Sequence, residues 1–138
     1  DSIIRNSDVC HLAMSRDNRP YVVPLNFGYD NGAIYIHCAH EGTKLDILRE
    51  NNAVCFEFDT DHELVQGDTA CKWGMKYRSV IGFGRASFID DVNGKKAACN
   101  TIMKQYSDLA FDYTDEPLQN ITIIKIDIES MTGKLSGY

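Results

Sequence analysis

The chain has 138 residues and a mass of 15.6 kDa, the size of one domain with room for a substantial core. Its 43% hydrophobic and 25% charged residues exclude disorder, and no apolar run approaches the roughly 18 residues of a membrane span. A net charge of −6 without a basic stripe argues against a nucleic-acid partner.

The first strand is expected over Val9–Ser15, followed by a turn at Asp17-Asn18-Arg19-Pro20, built from residues that favour turns. A second strand is expected over Tyr21–Tyr29, with Pro24 marking an edge or a bulge because proline removes a ladder donor. Asp30-Asn31-Gly32 is a hairpin signal, and Ala33–Cys38 is the third strand. A short helix follows over Thr43–Glu50, with Thr43 and Asp46 resembling a capping box. Ala53–Asp59 is the fourth strand, and the polar Asp59–Thr69 stretch is expected to be a loop or an irregular edge.

Lys76–Ile89 is a long strand in which Gly82 and Gly84 point to a bend or bulge. A second helix spans Val92–Tyr106, where Ala98, Ile102 and Tyr106 recur every four residues. Ser107–Asn120 is expected to be a loop, and Ile121–Ile128 the last strand. Six strands in hairpin order with two or more short helices make a mainly β fold over residues 1–138, a curved six-stranded antiparallel barrel.

Cys10, Cys38, Cys55, Cys71 and Cys99 are odd in number, widely spaced and free of CxxC pairs, so they read as reduced thiols of a cytoplasmic protein. The sequence starts at Asp1 rather than Met, so a short preceding leader or tag is expected, without a signal peptide. The richest stretch for chemistry is Ile34 to Lys44. A strand ends there, and a helix begins with Gly42, Thr43 and Lys44, whose amides, hydroxyl and charge suit a phosphate. A capped surface helix with a solvated lysine is the competing reading.

No metal is expected from His37-Cys38-x-His40, because neighbours on a strand face opposite ways. His37 is better placed as the wall of a ligand pocket. Trp73 and Tyr77 are aromatics in a polar region, where they either cover a ligand or partner or pack in the core.

Four segments in register resemble the FMN-binding split barrels of the pyridoxamine-phosphate-oxidase type. Arg19 to Tyr29 resembles their first flavin-contacting strand, and Ile34 to Lys44 their phosphate-binding strand, loop and helix. Tyr77 to Gly84 resembles their central strand, and Met131 to Lys134 a closing signature. The spacing is most similar to the nitroimidazole-resistance or flavin-nucleotide-binding branch.

The resemblance implies that the six-stranded antiparallel barrel is a split barrel, and that it forms a homodimer with FMN at the subunit interface, lined by both chains. It implies that Val22, Val23, Pro24, Leu25 and Asn26 run along the flavin ring, with His37 and Cys38 beside the ribityl chain or ring. Gly42, Thr43 and Lys44 take the phosphate, and Ser79 the pyrimidine side of the ring. Val22 stands where the oxidase carries an arginine, Thr43-Lys44 replaces its Arg-Lys pair, and its C-terminal Trp and Arg segment is missing, which argues against pyridoxamine phosphate as substrate.

The expected function is FMN-dependent reduction of a small organic acceptor, a nitroaromatic among the candidates. His37 is the candidate proton donor, and Trp73 and Tyr77 would cover the ring or a substrate. The alternative is a non-catalytic module holding FMN or another flat cofactor such as haem.

Overall fold

The computed structural model describes residues 1–138. In chain order the elements are α1 (Ser2–Arg5), β1 (Cys10–Arg16), β2 (Arg19–Leu25), β3 (Gly28–Asp30), β4 (Ala33–Cys38), α2 (Thr43–Glu50), β5 (Ala53–Val65), β6 (Gly74–Ile89), α3 (Val92–Tyr106), α4 (Asp115–Gln119) and β7 (Thr122–Ser136). A single 3-10 turn at Ala70–Lys72 precedes β6.

The strands form one antiparallel sheet in the order β2-β1-β5-β6-β7-β4-β3. It does not close, so β2 and β3 are free edges and the barrel is split. There are seven strands rather than six, because the expected Tyr21–Tyr29 strand divides at Asn26-Phe27. The Phe27 N–H donates to the Tyr106 hydroxyl at 2.9 Å, and that hydroxyl donates to the Asp8 carbonyl at 3.0 Å. With its amide spent on α3, Phe27 leaves the ladder, and β3 crosses to the far edge of the sheet.

Alternation fills the core. Cys10, Leu12 and Met14 of β1 face inward with Val54, Phe56 and Phe58 of β5, Ile34 and Ile36 of β4, and Ile124 and Ile126 of β7. Full burial of each large side chain contributes about 2 kcal/mol. Phe27 and Phe58 pack with ring centroids 4.7 Å apart. Gly82 and Gly84 are glycine for space. A Cβ at 82 would lie 2.1 Å from the Phe56 ring, and one at 84 would lie 2.4 Å from the Asp127 carbonyl. The expected irregularity is a bulge, in which Phe83 and Gly84 oppose Ser130 and Ile128, with Glu129 left over on β7.

Two ends of the sheet run past their expected limits. β5 continues to Val65 by pairing with β6 through a bulge, so residues 59–65 of the stretch expected to be a loop or an irregular edge are irregular strand, and β7 continues to Ser136. α3 covers a second apolar cluster of Ala98, Cys99, Leu118 and Ile123. α4, inside the expected Ser107–Asn120 loop, supplies Leu118.

Lys95 holds that corner together. It is buried in α3, and its ammonium donates to the Leu118 carbonyl at 3.1 Å and the Ile121 carbonyl at 2.8 Å. Charge-assisted hydrogen bonds of this kind contribute about 1.5–3 kcal/mol each. Lys95→Met is therefore expected to lower stability to urea by about 2 kcal/mol or more, and an unchanged unfolding midpoint would show that the two carbonyls do not depend on the ammonium.

Candidate functional site

Asp17 and Asn18, both left-handed at φ 53° and 60°, make a two-residue turn that sets Arg16 opposite Arg19. Across a gap from this hairpin lies the start of α2. Gly42, at φ 139°, is the N-cap, and no heavy atom lies within 4 Å of where its Cβ would stand. A side chain there would be strained by the backbone rather than by crowding. The helix starts at Thr43, so the Thr43 hydroxyl does not cap it, and the expected capping box is absent. The amides of Leu45 and Asp46 bond the Gly42 carbonyl, at 3.0 and 3.2 Å. The amides of Thr43 and Lys44 make no backbone hydrogen bond.

Arg16, Arg19, Tyr21, Thr43 and Ile47 line one cleft of about 320 Å³. Arg16 is paired with Glu50 at 3.2 Å, whereas Arg19 has no ion pair. Lys44 is half-buried and does not line this cleft. Its charge is felt instead by Cys38: burial pushes that thiol up, and Lys44 and Arg49 pull it back. The two arginines escaped sequence reading, because only the hairpin brings them to the helix start. The signal was the tight Asp17-Asn18 turn.

β2 is an edge strand, and its alternation divides the expected ring-lining residues. Val23 and Leu25 pack against the core, whereas Val22 and Pro24 are exposed on the outer face, with Asn26 exposed just beyond the strand. The pair that closes a two-residue hairpin exchanges both hydrogen bonds, so 19, 21, 23 and 25 bond β1 while 20, 22 and 24 face the open edge. Pro20 and Pro24 thus cost no ladder bond. The edge presents one donor, the Val22 N–H, among the carbonyls of Pro20, Val22 and Pro24. Register sets Val22, Ala13, Cys55 and Phe83 in one outward row across four strands. Val22 is 61% exposed and Phe83 54%. Ala13, Ala53 and Cys55 floor a trough of about 290 Å³ against Phe83.

His37 and Cys38 point opposite ways, as strand alternation requires. Cys38 packs towards the core, and His37 lines an apolar cleft of about 220 Å³ with Cys99, Met103, Tyr113 and Leu118. His37 does not share a cleft with Thr43 or with β2. The Tyr113 hydroxyl is buried without a partner, and burial pushes its pKa up. Tyr113 falls in the stretch expected to be a loop and went unnoticed there. His40 is structural, bonding the Thr122 hydroxyl at 2.9 Å and the Gln119 carbonyl.

Ser79 is buried on β6 between Asp59 and Lys134, its cross-strand neighbours. The Lys134 ammonium lies 5.3 Å from the centroid of the Tyr77 ring. Trp73 is 50% exposed beyond the 3-10 turn and lines none of these clefts.

Residues 1–135 match the family described as pyridoxamine 5'-phosphate oxidase. A candidate 5-nitroimidazole antibiotic resistance protein from Bacteroides thetaiotaomicron is 36% identical, with a TM-score of 0.87 over 97% of this chain and 80% of that one. Two more distant structures share the fold. An FAD- and haem-binding protein from Mycobacterium smegmatis is 19% identical, with a TM-score of 0.88 over 99% of this chain and 69% of that one. An FAD-binding protein from Mesorhizobium loti is 23% identical, with a TM-score of 0.71 over 99% and 91%. No protein of curated function matches the chain.

The five cysteines differ in access. Burial pushes the Cys10 thiol to about 12, and raises Cys55 and Cys99 as well as Cys38, whereas Cys71 is exposed. The thiolate is the reactive form. At pH 8 a disulfide reagent is expected to label Cys71 first and Cys10 only after unfolding; rapid labelling of Cys10 in the native protein would contradict the burial of β1.

Proposed function

The chain belongs to the pyridoxamine 5'-phosphate oxidase family, and from that footing we propose that it is an FMN-binding flavoprotein that reduces a small organic acceptor. One observation carries the reading: Thr43, whose amide is unbonded at the start of α2, meets Arg16 and Arg19 at a single cleft beside an open strand edge. A phosphate monoester fits it. Backbone N–H groups at a helix start favour an anion, and guanidinium groups match phosphate oxygens. The unfilled space beside Gly42 admits the phosphate to the backbone.

The β2 edge suits the polar side of a flavin, which carries both donors and acceptors. The Val22 N–H and its neighbouring carbonyls are their complement. Bound flavin supplies hydride or electron transfer. The chain's part is to hold the phosphate at Thr43 and Arg19, to hold the ring along Val22 to Asn26, and to keep water from its apolar face. Val22 in place of the oxidase's arginine and Thr43-Lys44 in place of its Arg-Lys pair are among the departures that argue against pyridoxamine phosphate as substrate.

The row Val22, Ala13, Cys55 and Phe83 exposes apolar surface that a second copy would cover. A two-fold homodimer places the same stripe on both sides of the contact. Trp73 is exposed just before β6, and Tyr77, half-buried near the start of that strand, has the Lys134 ammonium over one face of its ring. In this reading they cover the flavin held by the other copy. The Bacteroides relative bears the name of a 5-nitroimidazole antibiotic resistance protein, and the apolar cleft of His37 and Tyr113 suits a small aromatic acceptor such as a nitroaromatic. His37 is its proton donor, and the dimer must bring that cleft to the flavin.

A non-catalytic haem-holding module is the second reading, because His37 is the only histidine beside an apolar cleft. His11 and His62 face a polar one, and His40 is engaged by Thr122 and Gln119. The visible spectrum of the purified protein separates the two. A flavin spectrum, with FMN affinity about tenfold weaker in Arg19→Ala, is the expected result. A haem spectrum, or failure to take up added FMN, would overturn the flavin reading.

A further inference from the structure

On the outer face, between Pro24 and Ile81, stands a cluster that the flavin reading does not use. His11 and Glu57 are cross-strand partners, and Asp59 lies two residues beyond Glu57, so alternation directs all three outward. The His11 Nδ1 lies 3.1 Å from the Glu57 Oε2. One ligand atom from each of the three lies within 4.8 Å of the other two. We propose that His11, Glu57 and Asp59 bind a divalent transition-metal ion of the zinc class, with His62 holding Asp59 from the outer side.

The charge pattern sets this cluster apart. The chain has ten ion pairs, and eight of them use lysine or arginine. The two that use histidine are His11–Glu57 and His62–Asp59, both in this cluster. Glu57 and Asp59 sit close together with no lysine or arginine partner. The neighbouring Arg78 turns to Asp61 instead, an ion pair at 2.9 Å without hydrogen-bond alignment. Two carboxylates and an imidazole form a nitrogen–oxygen donor set that suits zinc-class ions. Bonds of about 2.0–2.2 Å put tetrahedral ligand atoms roughly 3.4 Å apart, so a modest side-chain rotation closes the set.

The backbone is shaped for the fourth group. A bulge between Thr60 and Glu63, with Asp61 left-handed at φ 56°, turns His62 back so that its Nε2 lies 3.0 Å from the Asp59 Oδ2. A ligand carboxylate held by an outer partner is the usual pattern of metal sites. His11, Asp59 and His62 line a cleft of about 380 Å³ with Pro24 and Asn6, leaving room for water on the open positions of the ion. Sequence spacing gave no hint of it, because His11 and Glu57 are 46 residues apart.

The cluster borders the apolar stripe but needs no flavin, so the test is run on flavin-free and FMN-loaded full chain alike. After stripping with chelator, Zn²⁺ is titrated by calorimetry, and Co²⁺ absorption reports coordination. One Zn²⁺ per chain is expected. His62→Ala is expected to weaken binding about tenfold, as loss of an outer partner does, and His11→Ala to weaken it further. Glu57→Gln keeps the side-chain volume, so its loss of binding is a loss of ligand rather than of fold. His40→Gln is expected to bind as the unaltered protein does. The proposal is overturned if no stoichiometric binding occurs, or if His11→Ala and Glu57→Gln bind Zn²⁺ unchanged, whatever the outcome with FMN.

Discussion

A seven-stranded sheet that rolls without closing leaves two edges, and the free edge of β2 is the constraint on which the rest depends. An open edge is a template for another strand. Here its outward positions are Pro20, Val22 and Pro24, so an approaching strand finds one donor where a ladder requires several. The edge is closed to sheet extension but open to a ligand with mixed donors and acceptors. The Asp17-Asn18 turn, the start of α2 and the arginine pair all lie at the end of this edge, which is why the proposed phosphate and ring contacts adjoin one another.

The sheet's inner face supplies rigidity and its outer face supplies surface. Gly82 and Gly84 let β6 approach Phe56 and the Asp127 carbonyl, fixing its position over the core. On the other side, Ile81 and Phe83 of the same strand project outward. One strand therefore locks the barrel and presents an apolar stripe. The small side chains of Ala13, Ala53 and Cys55 keep the stripe's floor low. Close packing on one face and low relief on the other follow from the same period-two alternation.

Much of this was legible in the sequence, for reasons that differ by element. Alternation in Cys10–Met14 and Val54–Phe58 fixed strand and face, and Asn31-Gly32 fixed a turn. The opposed directions of His37 and Cys38 follow from strand geometry alone. Four motifs in register carried the family. The break at Phe27 was not legible, because it depends on the hydroxyl of Tyr106, 79 residues away. The extensions of β5 and β7 were hidden because those segments leave the barrel and lose one-sided burial. Arg16 and Arg19 were missed for the same physical reason as the His11–Glu57 pair: partners brought together by cross-strand or cross-element contact leave no local pattern.

The cleft lined by Arg16, Arg19 and Thr43 is the feature on which the proposed FMN binding turns, and the most direct measurement is the ratio of FMN to riboflavin affinity in the full chain. The two ligands differ only in the phosphate. Two charge-assisted contacts correspond to a preference for FMN of about 100-fold or more, and that preference is expected to shrink when Arg19 is replaced by alanine. Equal affinity for FMN and riboflavin would mean that the start of α2 and its arginines hold no phosphate, and would contradict the assignment of the site.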